Sequence, residues 1–422
     1  MSPDVAIVGA GLAGLACARQ LAQSGISCTV FEASDGVGGR VRTDVVDGFR
    51  IDRGFQVFLM AYPEARAVLD YDALDLRAFE PGALVRLNGR WERVGDPFRD
   101  VKSLLPTLVS RVGTLGDKVR VLGLREAVRR GTTQSLWARP ETTTLAALRE
   151  RYGFSARMTD RFFRPFLGGV LLDGDLGASS RAFEFYFRMF SEGDAAVPAQ
   201  GIGAIPDQLA DRLPAGSIQL NAPVAYVEAD GSGLRLASGE TVACRVVVVA
   251  TDAAAVPGLV PGTPVPAWKG TVQIAYAAPR APKAGAVLML DGDAAGPVNN
   301  AQTMSNVAAE LAPRGQALVT ASVLGTPAED DVALDAAARV QMRAWFGPDV
   351  DVWRTLAVHR IPHALPDLPS LDPPERPLHV RDGLFLTGDW LRNGSIDGAL
   401  VAGRHAAEAV TEQLRADSPL PR

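Results

Sequence analysis

The chain has 422 residues, of which 47% are hydrophobic, and its formal net charge is -5. This length supports two packed domains, and so small a net charge gives no reason to expect a nucleic acid or another polyanion as partner. The three cysteines form no CxxC pair and no metal-ligand pattern with the four histidines, so we expect no metal and a reducing, cytoplasmic location. No uninterrupted apolar run reaches the length of a membrane span.

The N-terminal segment predicts a strand, a glycine turn, a helix and a second strand. Residues 5–8 and 27–31 are short apolar runs, and residues 15–23 between them have helical periodicity. The turn carries three glycines with the spacing G-x-G-x-x-G. This context, rather than the spacing alone, indicates a dinucleotide site.

Each glycine of this turn has a separate role in such a site. Gly9 permits the tight turn, Gly11 lets a diphosphate approach the backbone, and Gly14 lets the helix pack closely on the strand. The helix N-terminus offers unpaired N–H groups to the phosphates. Glu32, at the end of the second strand, is placed to accept from adenosine ribose hydroxyls and would repel a 2′-phosphate, which disfavours NADP. The alternative is a Gly/Ala-rich helix packed on a sheet without a ligand.

The next segment combines a glycine loop, two arginines and a hairpin. Gly38 and Gly39 precede Arg40, which suits a second approach to a diphosphate or to a flavin edge. The alternative is a surface turn with solvated arginines. Residues 45–51 predict a hairpin around an Asp-Gly turn. Arg53 and the residues after it interrupt the strand pattern.

Residues 61–200 have many helical periods and few strand alternations. The basic amphipathic run at 101–130 fits a helix lying on a membrane surface, although an ordinary solvated basic face is the favoured interpretation. Residues 154–190 are rich in aromatic side chains. These side chains suit either a core or the wall of an apolar pocket, and the sequence does not separate the two.

The second half alternates as strands before a final helix. Strands are predicted at 245–250, 271–278, 286–290, 317–324 and 352–359, with a helix at 330–346. Near the C-terminus, an apolar strand at 384–387 ends at Gly388 and Asp389. A long helix with small residues on one side begins near Ser395.

The order of these motifs resembles the large family of FAD-dependent oxidoreductases that includes monoamine oxidases, protoporphyrinogen oxidases and phytoene-desaturase-like enzymes. The resemblance rests on Gly9, Glu32, the Gly38-Gly39-Arg40 loop and Asp389. It implies an α/β fold, with a Rossmann-like FAD-binding domain of the glutathione-reductase type, amine-oxidase-like, and an inserted α+β substrate domain. The implied segments are 1–75, 198–262 and 370–415 for the FAD domain, and 76–197 and 263–369 for the substrate domain.

The resemblance also implies a set of residues that bind FAD, without a covalent link because no cysteine lies near the C-terminus. In the family, an acid like Asp389 binds the ribityl–phosphate part, and the final helix points its positive end at the flavin. The implied cofactor residues are Gly9, Gly11, Leu12, Ala13, Gly14, Glu32, Gly38, Gly39, Arg40, Gly54, Phe55, Gln56, Val57, Val224, Gly388, Asp389, Ser395 and Ile396.

The implied reaction is hydride transfer from a small-molecule substrate to flavin N5, with oxygen or a quinone as the electron acceptor. Amine oxidases commonly place a lysine inside a substrate-domain strand, whereas here Lys269 precedes the predicted strand. The sequence therefore favours a desaturase- or protoporphyrinogen-oxidase-like enzyme acting on an apolar substrate, with Arg53, Gln56 and Trp390 as candidate catalytic residues. The alternatives are an amine oxidase, a redox-neutral isomerase that uses reduced FAD, and a non-catalytic module of the same fold.

Overall fold

The computed structural model describes residues 2–95, 110–371, 378–381 and 383–417. The strands of these residues are β1 (Val5–Val8), β2 (Cys28–Phe31), β3 (Thr43–Val46), β4 (Phe49–Asp52), β5 (Phe58–Leu59), β6 (Leu76–Ala78), β7 (Ala83–Leu87), β8 (Arg90–Val94), β9 (Ala195–Pro198), β10 (Ile218–Gln219), β11 (Val224–Val227), β12 (Gly233–Leu236), β13 (Thr241–Ala243), β14 (Val246–Val249), β15 (Trp268–Ala278), β16 (Leu288–Asp291), β17 (Val298–Thr303), β18 (Ala317–Leu324), β19 (Arg354–Pro366), β20 (Leu378–Arg381) and β21 (Leu384–Leu386). The α-helices are α1 (Leu12–Gln23), α2 (Pro63–Val68), α3 (Tyr71–Leu74), α4 (Leu115–Arg129), α5 (Thr133–Trp137), α6 (Thr144–Ala146), α7 (Ala156–Met158), α8 (Arg164–Leu171), α9 (Ser180–Glu192), α10 (Ala204–Ala210), α11 (Val256–Leu259), α12 (Met304–Val307), α13 (Asp331–Phe346) and α14 (Ile396–Ala416).

A six-stranded sheet holds the glycine turn, with the strand order β10-β2-β1-β14-β21-β20. All neighbours are parallel except β20, which runs antiparallel to β21. Every residue of β1 and β14 is buried, because elements cover both faces of a parallel sheet and the strands need apolar residues on both sides. The predicted alternation of strand, glycine turn and helix is therefore observed.

The first and last helices pack backbone to backbone on this sheet. A Cβ added at Gly403 of α14 would lie 2.1 Å from the carbonyl oxygen of Ala13 and 2.9 Å from the amide nitrogen of Cys17, both in α1. Only a glycine permits this approach. The small residues predicted in the C-terminal helix are therefore required by its contact with α1.

A seven-stranded mixed sheet, with the order β19-β15-β18-β17-β16-β7-β8, forms the second layer. Its long central strands β15 and β18 are antiparallel and pair residue by residue from Thr271 with Leu324 to Ala278 with Ala317. Helix α13 covers one face, where Tyr276, Ala338 and Met342 share a buried cluster. The opposite face is turned toward the site described below.

The segment before β9 is largely helical. Helices α7 and α8 are joined without a break by a π-helical turn, Thr159–Phe163. Glu184 of α9 is fully buried and satisfied by Arg139 at 2.9 Å, Arg151 at 2.6 Å and the Tyr152 hydroxyl at 2.6 Å. This network links α9 to the loop regions beside α6, which fixes the orientation of α9.

Several expected elements are confirmed and some were missed. The hairpin β3–β4 turns at Asp47 and Gly48, whose φ angles of 50° and 81° suit the Asp-Gly turn. Residues 61–200 were predicted to have few strand alternations, yet the four strands β6 to β9 lie there. The polar strand β17 was also missed. Strands with little alternation of apolar and polar residues give a weak signal, and only pairing within the sheet identifies them.

The division into domains remains a proposal. The six-stranded sheet draws on residues 5–31, 218–249 and 378–386, and the seven-stranded sheet on residues 83–94 and 268–366. Parts of the predicted segments, at residues 1, 96–109, 372–377 and 382, lie outside the described residues. So does the first part of the predicted basic helix at 101–130, whose described part forms α4. Among the described helices, none is both long and apolar enough to span a membrane.

Candidate functional site

A cavity of about 850 Å³ lies between the two sheets, at the carboxyl ends of β1 and β14. This is the edge of an open α/β sheet where ligands bind. Its wall includes most of the residues predicted from the sequence to bind the cofactor. Those in the wall are Gly9, Gly11, Leu12, Ala13, Glu32, Gly38, Gly39, Arg40, Gly54, Phe55, Gln56, Val57, Val224, Gly388, Asp389, Ser395 and Ile396. The candidate catalytic residue Arg53 also lies in the wall.

The three glycines of the first turn have distinct surroundings. Gly9 has a φ of 104°, which only glycine adopts readily, and a Cβ at Gly14 would lie 2.0 Å from the Gly9 carbonyl oxygen. A Cβ at Gly11 would meet no protein atom within 4 Å, so the space in front of it belongs to the cavity. Gly14 therefore lets the helix pack closely on the Gly9 backbone and lies behind the cavity wall. Gly11 instead leaves room for a ligand.

The second glycine loop closes over the first. Gly38 donates its N–H to the Ala10 carbonyl at 2.8 Å, and Gly38 and Gly11 form an isolated parallel bridge. A Cβ at Gly39 would lie 3.5 Å from the Cα of Gly11. Two backbone segments thus meet without side chains between them, which is the surface that a diphosphate needs for close approach.

Glu32 fixes the end of β2 as well as lining the cavity. Its Oε2 accepts the Ala10 N–H at 2.7 Å, and its Oε1 accepts both the N–H and the hydroxyl of Ser34 at 2.9 and 2.7 Å. These donors hold the carboxylate in place. Because each carboxylate oxygen accepts more than one hydrogen bond, capacity remains for a ribose hydroxyl.

Arg40 and Asp389 form an ion pair across the cavity wall, with 2.5 Å between Nη2 and Oδ1. Arg40 also donates to the Ala364 carbonyl at 2.8 Å, and its guanidinium lies 5.3 Å from the centre of the Trp268 ring. The pair joins the glycine loop to the segment after β21, although their residues are 349 positions apart. Both predicted cofactor residues thus meet at one point of the wall.

The segment from Arg53 to Gln56 is held by its own hydrogen bonds. Arg53 is paired to both oxygens of Asp44 at 2.9 Å, which raises the pKa of Arg53 through the hydrogen bonds from that carboxylate. The Gln56 Nε2 donates to the carbonyls of Arg40 and Arg53 at 2.9 Å. The guanidinium of Arg53 is therefore engaged by the Asp44 carboxylate.

The positive end of α14 faces the cavity. Ser395 caps the helix by accepting the Gly398 N–H at 2.9 Å, and Ile396 and Ala399 line the wall. The partial positive charge of a helix N-terminus stabilises negative charge that develops in front of it. The start of α14 therefore lies at the cavity, as the predicted orientation toward a flavin requires.

The expectation that Trp390 is a catalytic residue was wrong. Its ring is not in the described cavity wall but 94% buried in a core cluster with Val8, Val249 and Leu386. A Cβ at Gly388 would lie 2.6 Å from this ring, so the indole packs behind the wall. The ring packs against the apolar ends of the strands and points inward. Trp390 is therefore not a catalytic candidate in this structure.

Lys269 lies inside β15 and not before it, because the strand begins at Trp268. Its Nζ lies 2.8 Å from Asp173 Oδ2 and 3.3 Å from Asp367 Oδ1. Lys269 lowers the pKa of Asp173 against the opposing effect of burial. The lysine is therefore held by two carboxylates and is not part of the described cavity wall.

The sequence did not identify several wall residues. Tyr62, Phe166, Tyr186 and Phe190 line the cavity, whereas Phe183 and Phe185 lie in the core, so both interpretations of the aromatic segment hold for different side chains. The strand residues Asn300 and Ser322 also line the cavity, and no sequence signal distinguished them from surface residues. Among the described residues, no cluster of side chains suits a metal ion.

The comparisons with known proteins agree with this geometry. Residues 12–411 match the family model for flavin containing amine oxidoreductase. The chain belongs to this family. The expected α/β fold and FAD as cofactor are thereby confirmed, and the open space before Gly11 and the helix end at Ser395 are features into which FAD fits.

Curated relatives of the family match over parts of their length. The chain is 28% identical over 166 residues to protoporphyrinogen oxidase 2 of Arabidopsis thaliana, covering 39% of this chain and 32% of that protein. It is 34% identical over 135 residues to carotenoid phi-ring synthase of Streptomyces griseus, covering 30% and 25%. With putrescine oxidase of Kocuria rosea, 26% identity extends over 275 residues, covering 64% and 54%. The matches thus span between a quarter and about half of these relatives.

Solved structures match over nearly the whole chain. Putrescine oxidase bound to putrescine has a TM-score of 0.71 at 18% identity, covering 98% of this chain and 99% of that one. Reduced UDP-galactopyranose mutase has a TM-score of 0.68 at 17% identity, covering 99% and 96%. At such identities these matches establish the fold alone.

Proposed function

We propose that this chain removes hydrogen from an apolar small molecule, in the manner of a desaturase or a protoporphyrinogen oxidase. The observation that carries the proposal is the distribution of charge around the cavity. The charged residues of the described wall are Glu32, Arg40, Arg53, Asp252 and Asp389, all beside the cofactor segments. The wall contributed by α8, α9 and the seven-stranded sheet contains no charged residue. An uncharged substrate suits such a wall because burial of an unpaired charge is costly.

Bound FAD would supply the acceptor for the substrate's hydride, without a covalent link to this chain and with oxygen or a quinone as the final acceptor. The glycine turns would hold the diphosphate, Glu32 the adenosine ribose, and Asp389 with Arg40 the ribityl–phosphate part. Ser395 and Ile396 would present the helix end to the flavin. Gln56 is held at the wall through its Nε2, and its Oε1 accepts no hydrogen bond from the described residues.

The apolar end of the cavity would exclude water from the reacting carbon of a bound substrate. Phe166 and Phe190 have ring centres 5.3 Å apart, and both line the wall. Val170 and Leu324 lie in the same wall. These side chains would orient a lipophilic substrate by shape, since they offer it no hydrogen bonds.

Amine oxidation is the second candidate. Tyr62 and Tyr186 both line the cavity, and aromatic faces attract organic cations. The Tyr186 hydroxyl donates to the Asn393 carbonyl at 2.6 Å, which fixes its ring. A redox-neutral isomerase remains the third candidate, and the experiment below separates all three.

A lipophilic substrate suggests contact with a membrane surface from the cytoplasmic side. Helix α4 exposes Leu115, Val119 and Leu122, which recur at helical spacing, and their exposed fractions are 69%, 68% and 40%. Arg120 and Arg129 on the same helix are also exposed. An apolar stripe flanked by basic residues suits the surface of an anionic bilayer.

The test is anaerobic mixing of the FAD-loaded protein with protoporphyrinogen, with phytoene and with putrescine. We expect the visible absorbance of oxidised flavin to fall with one of the first two and not with putrescine. Bleaching by putrescine alone would overturn the proposal in favour of amine oxidation. Conversion of phytoene only after pre-reduction of the flavin, without net electron transfer, would overturn it in favour of an isomerase.

A charge placed in the apolar wall provides a matched test. Val170→Asp should retain FAD but lose at least about tenfold in the rate of bleaching by the apolar substrate, because an unpaired carboxylate is then buried against it. The control is Val340→Asp, the same change at a helical residue that is 74% exposed. Equal rates for both variants would show that this wall does not contact the substrate.

A further inference from the structure

A row of polar side chains crosses the face of the seven-stranded sheet that is turned toward the cavity. Gln273 of β15 lies opposite Ser322 of β18, and Ser322 lies opposite Asn300 of β17. Residues directly opposite on neighbouring strands project from the same face. Ser322 and Asn300 both line the cavity, between the apolar residues Leu324 and Leu290. All three polar side chains are at least 94% buried.

The hydrogen bonds of this row leave donors without acceptors. Asn300 Nδ2 donates to Ser322 Oγ at 3.3 Å, and Asn300 Oδ1 accepts from Asn299 Nδ2 at 2.9 Å. Ser322 thus accepts one bond, but its own hydroxyl hydrogen reaches no acceptor among the described residues. The second hydrogen of Asn300 Nδ2 likewise reaches no acceptor among the described residues. Thr271, also in the wall, differs because its hydroxyl donates to the Val323 carbonyl at 2.8 Å.

A second polar pair lies behind the first. Gln302 and Thr320 are opposite one another, two positions along from Asn300 and Ser322 and on the same face. Gln302 is fully buried, yet neither its Oε1 nor its Nε2 has a hydrogen-bond partner, and Thr320 Oγ1 has none either. A buried polar group left unpaired costs about 1–3 kcal/mol. Three such atoms in one patch indicate a polar occupant, either ordered water or ligand, on this face of the sheet.

We infer that Ser322 and Asn300 bind an oxygen acceptor of the substrate, so the substrate is an apolar molecule that carries a carbonyl or hydroxyl oxygen. This rests on the proposed function and narrows it. The two free donors converge on the cavity, where a carbonyl oxygen can accept both. An ammonium group has no lone pair to offer them, and a hydrocarbon leaves them unpaired.

The test compares three ligands with one skeleton: 4-tert-butylcyclohexanone, the corresponding methylenecyclohexane and the corresponding ammonium. Each is titrated into the oxidised, FAD-loaded protein, and the shift of the flavin spectrum reports binding without turnover. We expect the ketone to bind about tenfold more tightly than the alkene, as one or two net hydrogen bonds in a buried site would give. The ammonium should bind most weakly.

Two variants assign the preference to the side chains. Ser322→Ala should reduce the ratio of ketone to alkene affinity to about threefold, and Ser322→Ala with Asn300→Leu should remove it. A ratio between two ligands is insensitive to general loss of stability. Ser238→Ala, an exposed serine in the β12–β13 turn, is the control and should leave the ratio unchanged.

The outcomes separate this inference from the proposed function. Equal binding of ketone and alkene by the unaltered protein would overturn the inference while leaving an apolar substrate in place. Tightest binding of the ammonium would overturn both. A preference for the ketone that survives the double variant would show that other donors provide it and would overturn the assignment to Ser322 and Asn300.

Discussion

Gly11 and Gly14 lie on the same turn, but the structure gives them different functions. Gly11 faces open cavity and has an ordinary φ of -70°, whereas Gly14 touches the Gly9 carbonyl. A methyl group at Gly11 therefore strains nothing in the protein and occupies only the space of a ligand. A methyl group at Gly14 collides with the backbone.

We predict that Gly11→Ala folds with an unchanged melting temperature in the absence of FAD but loses at least about tenfold in FAD affinity. Gly14→Ala should instead lower the free energy of unfolding by about 3 kcal/mol or more, because overpacking against backbone cannot relax. Fluorescence titration and thermal melts measure the two effects. Gly123→Ala, in an exposed part of α4 with no atom near its Cβ, is the control and should be neutral or slightly stabilising. Normal FAD binding by Gly11→Ala would contradict the diphosphate site.

Asp52 is a buried carboxyl whose ionisation costs stability. Burial raises its pKa from 3.8 to about 6, although Thr43 and the Ile202 N–H donate to its Oδ1 at 2.6 and 2.9 Å. The folded state therefore binds more protons than the unfolded state between about pH 4 and 6. The stability of the protein falls as the pH rises through this window.

Asp52→Asn should remove this loss, since an amide oxygen keeps both hydrogen bonds and carries no charge. We expect the variant to be more stable than the unaltered protein by about 1–3 kcal/mol near neutral pH, and the gain to vanish near pH 4. Urea unfolding at several pH values measures this difference. Burial also raises the pKa of Asp397 to about 6. Because Asp397 titrates in both proteins, its contribution cancels from the difference in stability between them. A gain independent of pH would refute the assignment, and Asp417→Asn, at an exposed carboxyl, should change nothing.

Among individual residues, the sequence identified those whose role depends on the local backbone conformation. Gly9, Glu32 and Ser395 could be predicted because a turn, a strand end and a helix cap impose a local residue type. Trp390 was misplaced because the direction of a side chain after a strand depends on what packs behind it. Asn300 and Ser322 gave no signal, since their positions follow from pairing between strands distant in sequence.

The secondary-structure elements also divide into those that the sequence predicted and those that it missed. Helices α1 and α14 and strands β14 and β18 have strong periodicity or continuous burial. The bounds of α1, β14 and β18 and the start of α14 were predicted to within a few residues. Strands β7 and β8 were missed within the segment interpreted as helical, although they form a hairpin around Asn88 and Gly89 and this dipeptide is a local signal for such a turn. Only the pairing of β7 with β16, about two hundred residues later in the chain, gives no local pattern.

Helix α4 gives a prediction at the scale of an element. Leu115→Glu with Val119→Glu should abolish sedimentation of the protein with vesicles of phosphatidylglycerol and phosphatidylcholine, because two charges replace the apolar stripe. Binding by the unaltered protein should weaken as salt rises. Val332→Glu with Val340→Glu, on the exposed face of α13, is the control and should not change sedimentation. Absence of vesicle binding by the unaltered protein would remove the proposed membrane contact.

For the whole molecule, the cofactor site is the place where distant segments meet. Gly11, Arg40, Gln56, Val224 and Asp389 come from both ends and the middle of the chain, and one cavity includes them all. A ligand that contacts every segment stabilises only the assembled state. The resemblance predicted this convergence, but the sequence alone could not give the distances.

We predict that FAD at a hundredfold excess over its Kd stabilises the protein by about 2.7 kcal/mol, which a thermal melt detects. FMN should stabilise it less, since FMN leaves the positions near Glu32 and Val224 empty. NADP should give no shift, because the Glu32 carboxylate repels its 2′-phosphate. A shift by FMN equal to that by FAD would contradict adenosine binding at these residues.

The contact of α1 with α14 also determines when the site can form. Strand β1 pairs with β14, which pairs with β21, and Gly403 fits against Ala13 only after α14 has been made. Until α14 has been made, the glycine turn lacks the helix and the acid that would complete its site. We therefore expect tight capture of the flavin to wait for α14 and not to occur on a shorter nascent chain.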